Sequence, residues 1–97
     1  MYTLESILRI LKDKKSELQQ KYSISELGLF GSYARGDYKE TSDIDILVDF
    51  DKQIDAFEYI KLAHDLEDLL NHKVDVVSRK GIKPKYLPYV EKNLIYV

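Results

Sequence analysis

The chain has 97 residues, 44% of them apolar and 33% charged, with a formal net charge of −2 at pH 7, which suits a single domain with a modest core spanning 1–97. It contains no cysteine, which excludes a disulfide framework and thiolate metal sites and fits a reducing cytoplasm. Charged residues enter within the first dozen positions and no apolar run exceeds strand length, so the expectation is a cytoplasmic protein with no signal peptide and no membrane span.

The acidic balance argues against broad nucleic-acid binding. Its sign is uneven, however: acidic residues crowd Asp37 to Asp68, whereas Lys73 to Lys92 is mostly basic. That basic stretch is either a solvated face or a surface for phosphates or an acidic partner.

In chain order, Leu4, Ile7, Leu8, Leu11 and Leu18 fall at helical spacing and predict a helix over 3–21, with Thr3 and Ser6 as capping chemistry. Leu27 to Phe30 is a short apolar run ended by Gly31 and reads as a buried strand, followed by a short helical turn and a loop from Gly36 to Ser42. Asp43 to Phe50 alternates strictly. Ile44, Ile46, Val48 and Phe50 share one face; Asp43, Asp45, Leu47 and Asp49 share the other. A second amphipathic helix covers 55–71, with Asn71 able to close it. Val74 to Val77 is a further strand, Pro84 opens a last short helix, and Leu94 to Val97 ends the sequence as an edge strand. The expected fold class is α/β (α+β), a small mixed sheet with helices packed on it.

Chemistry concentrates between Gly31 and Asp45. A strand delivers Gly31 and Ser32 to a turn where glycine lets the backbone approach a bulky ligand. The turn's backbone N–H groups, the Ser32 hydroxyl and the Arg35 guanidinium are donors suited to phosphate oxygens. After ten intervening residues come Asp43 and Asp45, two positions apart at the start of the alternating strand and therefore on one face. Two carboxylates so close repel unless a cation lies between them, and Mg²⁺ takes carboxylate and phosphate oxygens together. A solvated strand face is the plain alternative for alternating aspartates. An EF-hand loop is excluded, because Leu47 and Val48 stand where its glycine is required. Asp75 interrupts the apolar run Val74 to Val77; it is either an aspartate at the sheet edge in water or, if its strand lies beside the alternating one, a third carboxylate of the same group.

Gly31-Ser32, ten residues, Asp43-x-Asp45 and a later strand aspartate at Asp75 resemble the signature of the DNA polymerase β-like nucleotidyltransferase superfamily. Gly-Ser-Tyr-Ala-Arg-Gly-Asp at 31–37, Thr41 to Val48 and Lys73 to Val77 with a Lys-Pro-containing tail look like its minimal nucleotidyltransferase branch. The resemblance implies the polymerase β-like fold, with Asp43, Asp45 and Asp75 as catalytic, metal-binding carboxylates for two Mg²⁺ ions, and Gly31, Ser32 and Arg35 on the triphosphate. It further implies transfer of a nucleoside monophosphate, AMP from ATP, to an acceptor hydroxyl that Asp75 could help deprotonate. Members of this branch are often paired with a small helical toxin of the HEPN type, and in some pairs a tyrosine of the toxin receives AMP and the toxin is silenced. A non-catalytic antitoxin that neutralises its partner by contact alone is the rival expectation. A transferase acting on a small-molecule hydroxyl is disfavoured, since no substrate domain is present.

His64 and His72 read as surface or helix-end histidines, and Tyr86, Leu87 and Tyr89 as a partner patch. The C-terminal edge strand leaves room for a homodimer or hetero-oligomer.

Overall fold

The computed structural model describes residues 3–97. Its first element, α1 (Leu4–Tyr22), opens on a reciprocal cap: the Thr3 hydroxyl accepts from the Ser6 amide and the Ser6 hydroxyl accepts from the Thr3 amide. Ser23, at φ 56°, turns the chain out of the helix. Strand β1 (Ile24–Phe30) starts three residues before the apolar run that predicted it. Ile24 is buried, whereas polar Ser25 and Glu26 beside a register irregularity hide the strand from a simple hydrophobicity pattern.

The remaining elements are α2 (Gly31–Arg35), β2 (Ile44–Phe50), α3 (Ala56–Leu70), β3 (Val74–Ser78), a 3₁₀ turn (Arg79–Gly81), α4 (Leu87–Glu91) and β4 (Ile95–Tyr96). Asp55 caps α3 at the amide of Glu58, and Asn71 closes it in the left-handed conformation. The last helix begins at Leu87, with Pro88 in its first turn, and not at Pro84.

The sheet order is β3-β2-β1-β4, with β2 and β3 parallel and the other pairs antiparallel. β2 is one of the two inner strands, and its Ile44, Ile46, Leu47 and Val48 are all fully buried. Leu47 lies on the carboxylate face, so that face is not simply a wet one.

Leu27 and Leu29 of β1 join Ile44, Ile46 and Val48 against Ile7, Leu11 and Leu18 of α1 and Leu62, Leu66 and Leu70 of α3. Both long helices thus use the same face of the sheet, which leaves Asp45 and its neighbours on the opposite face. The C-terminal edge is tied down by Val97, whose amide donates to the Leu27 carbonyl at 2.9 Å and whose carbonyl accepts from Lys15 Nζ at 2.7 Å. Arg79, counted with the basic stretch, bridges Glu26 at 3.0 Å and Glu91 at 3.3 Å and so serves the fold. No helix among the described residues is long and apolar enough to cross a membrane.

Candidate active site

β1 ends at Phe30, and the chain turns sharply into α2 because Gly31 takes φ 74°, a conformation that favours glycine. The absence of a side chain at Gly31 matters as much as its φ. A Cβ there would lie 2.0 Å from Asp45 Oδ2 and 2.8 Å from Asp45 Cγ. The turn is thus pressed directly against the second aspartate of the Asp-x-Asp pair, although thirteen residues separate them in the sequence. Gly36 closes α2 at φ 86°, with its amide donating to the Ser32 carbonyl at 2.9 Å.

Asp43 precedes β2 and Asp45 lies within it. The parallel register sets Asp45 opposite Asp75 of β3, so the two side chains project from the same face of adjacent strands. Asp75 is exposed, as the edge position of β3 dictates, and its strand lies beside β2 with Asp75 in register with Asp45. Burial, then the charge of Asp75, then that of Asp43 push the Asp45 carboxyl up to about 6, with Arg35 opposing the rise. Half-buried Asp43 and Asp45 within the corner, with exposed Asp75 beside them, present carboxylate oxygens of the kind that suit a hard divalent cation. Among the described residues no group of three or more His, Asp or Glu side chains is placed to hold a metal ion together.

Phe30, Gly31, Ser32, Arg35, Ser42, Asp43 and Asp45 line a cleft of about 490 Å³, closed on one side by Tyr89 and Val90 of α4. That is within the usual range for small-molecule sites. Arg35 reaches the cleft while its Nε pairs with Asp37 at 3.2 Å. Five of the six residues singled out in the sequence therefore share one cleft; Asp75 stands beside it.

A family model described as a nucleotidyltransferase domain matches residues 10–97 of the chain. The chain belongs to this nucleotidyltransferase family. It is 42% identical over 97 residues to the protein adenylyltransferase MntA of Thermococcus cleftensis, covering 100% of this chain and 98% of that protein. A solved structure described as a minimal nucleotidyltransferase matches with a TM-score of 0.83 at 32% identity, covering 99% of this chain and 97% of that one. The crystal structure of a toxin–antitoxin with AMP-PNP matches with a TM-score of 0.73 at 26% identity, covering 88% and 70% respectively.

Within this nucleotidyltransferase, two site features escaped the sequence pattern. Tyr89 lines the cleft as well as presenting a largely exposed ring. His72 sits at the end of α3, just past the Asn71 cap, but it is half-buried and its Nε2 lies 2.7 Å from the Ser42 carbonyl. The length of α3 and its Asn71 cap were signals that His72 would fall just beyond the helix, but nothing local pointed to Ser42, thirty residues away. Ser32→Ala is expected to weaken binding of a non-hydrolysable ATP analogue about tenfold, the loss of one hydrogen bond to a charged oxygen, without altering the unfolding temperature. Calorimetric titration checks it; unchanged affinity would remove Ser32 from the phosphate site.

Proposed function

We propose that this nucleotidyltransferase moves AMP from ATP onto a protein hydroxyl, a tyrosine of a small helical toxin of the HEPN type, and so acts as its antitoxin. The observation that carries the reading is the side-chain-free approach of Gly31 to Asp45, which joins a phosphate-type turn to a carboxylate corner in one cleft. The name of the Thermococcus relative, a protein adenylyltransferase, and the toxin–antitoxin bound to AMP-PNP support the choice of nucleotide and partner.

In this reading Gly31, Ser32 and Arg35 hold the triphosphate, and Asp43, Asp45 and Asp75 would hold Mg²⁺, two ions by the family resemblance. Bound there, Mg²⁺ would supply charge that neutralises the phosphates and stabilises the attacking and leaving oxygens. The tyrosine oxygen attacks the α-phosphorus in line, the bond from that phosphorus to the bridging oxygen of the β-phosphate breaks, and pyrophosphate leaves. The phenolic proton passes to a carboxylate, for which the exposed edge position of Asp75 is suited. The cleft is open to solvent, which suits an acceptor hydroxyl presented by the surface of another protein.

Co-expression of the helical partner with the wild-type protein or with Asp43→Ala/Asp45→Ala tests the proposal. The expected result is AMP on a partner tyrosine, seen by mass spectrometry, and relief of toxicity with the wild type only. Full neutralisation by the double variant would instead establish an antitoxin that works by contact.

Contact also contributes. Tyr86 is 51% exposed and Tyr89 79% exposed, an arrangement that leaves two large rings of one segment in water. Tyr86→Ala/Tyr89→Ala is expected to weaken partner binding at least about tenfold with an unchanged unfolding temperature. Unchanged affinity in a pull-down titration would exclude this patch from the interface.

A further inference from the structure

We infer that His72 is a positioning residue for Asp43, an inference that rests on the metal-nucleotide reading of the cleft. Asp43 lies outside β2, so no regular strand pairing holds it. Its two flanking peptides are held instead by two consecutive residues of the link between α3 and β3. On the N-terminal side, His72 Nε2 meets the Ser42 carbonyl at 2.7 Å. On the C-terminal side, the Ile44 amide donates to the Lys73 carbonyl at 3.0 Å. A carbonyl oxygen only accepts, so the first contact places the proton on Nε2. Asp43 is thus suspended between two hydrogen bonds from outside its own loop.

The imidazole is itself oriented. Its ring meets Tyr33 edge-on at 6.1 Å, and buried Tyr33 stacks on Tyr38 at 4.2 Å, with the planes 9° apart. Tyr38 belongs to the same loop, Gly36 to Ser42, that leads into Asp43. Ser42 closes that loop on itself, its amide donating to the Lys39 carbonyl and its hydroxyl accepting from the Lys39 amide, both at 2.9 Å. The loop is consequently clamped at its middle by Tyr33 and at its end by His72. Removing the imidazole releases the Ser42 peptide and lets Asp43 swing while leaving the sheet and both long helices in place. Groups that orient a metal-binding side chain from behind typically change metal affinity by about 10–100-fold.

Two measurements test this on the whole chain. In the ligand-free protein, His72→Ala should raise the hydrogen-exchange rate of the Ile44 amide at least about tenfold, while the amides of Leu29 and Leu47 keep their protection. Calorimetric titration with Mg²⁺ and a non-hydrolysable ATP analogue should show affinity reduced about tenfold in His72→Ala. In His72→Gln the amide nitrogen can stand where Nε2 does, and affinity should return to near that of the wild type. Equal affinity in wild type and His72→Ala would overturn the inference, as would loss of affinity in His72→Gln equal to that in His72→Ala. Neither measurement requires AMP transfer. A wild type that binds the nucleotide in a His72-dependent way yet modifies no protein would therefore defeat the proposed function and leave the positioning role standing; normal transfer with His72→Ala indifferent would do the reverse.

Discussion

Asp45→Asn is expected to abolish nucleotidyl transfer while making the metal-free protein more stable at pH 8. The first effect follows from removing a charged oxygen at the point where Gly31, Asp43 and Asp75 meet, and should amount to a loss on the order of 10³-fold in rate. The second follows from the sign of the carboxyl's displacement. Folding raises Asp45 from 3.8 to about 6, so the folded state holds the proton more tightly than the unfolded chain. The group's contribution to stability is then greatest below about pH 4 and is lost as pH rises to about 6, above which the folded protein carries an unrelieved charge.

Asn has the same shape and no charge, so it fits beneath Gly31 and relieves the repulsion. Solvent still reaches part of this carboxylate and screens it, which limits the gain to about 1 kcal/mol, or roughly 4–8 °C in a domain of this size. Thermal unfolding in EDTA at pH 8 and pH 4.5 checks the sign: the advantage of Asn should shrink at the lower pH. A variant that is both inactive and less stable at pH 8 would show Asp45 to be a structural residue.

Gly31→Ala is the second large effect. The added methyl meets Asp45 Oδ2 at 2.0 Å, and the residue also sits at φ 74°, so the substitution combines a collision with a strained backbone. The backbone part costs about 1–2 kcal/mol. The collision is relieved only by moving Asp45 out of line with Asp75 or by opening the turn, and a displacement of about 1 Å at a reacting centre reduces rate by about 10²-fold or more. Gly36→Ala is the control: its φ is 86°, but nothing lies within 4 Å of the new methyl. It should cost comparable stability and leave nucleotide binding intact. If both variants bound nucleotide equally well, the close approach of the turn to Asp45 would have no functional weight.

These two glycines also mark how far the sequence could be read. Gly31, Ser32, Asp43 and Asp45 were legible because each depends on local geometry: a strand running into a glycine turn, and two side chains an even number of positions apart on a strand. Asp75 was legible only as a choice, since whether it meets Asp45 depends on which strands pair, in what direction and in what register. That pairing is set by α3 crossing back over the sheet, a property of the whole chain. The same holds for His72, whose partner Ser42 lies on the far side of α3. The start of β1 was hidden by Ser25 and Glu26, and α4 was displaced because Pro84 serves a turn before the helix and Pro88 serves the helix itself. The buried Leu47 shows the limit of alternation, since in this inner strand residues of both faces are buried.

The most direct measurement uses ATP labelled in turn at the α- and the γ-phosphate, incubated with the protein, Mg²⁺ and the helical partner. The expected result is α-label bound covalently to the partner and γ-label released as pyrophosphate, with both signals absent in Asp43→Asn and Asp45→Asn. Label from the γ-position on the partner would indicate phosphoryl rather than nucleotidyl transfer. Transfer undiminished in the two aspartate variants would contradict the assignment of this cleft as the active site.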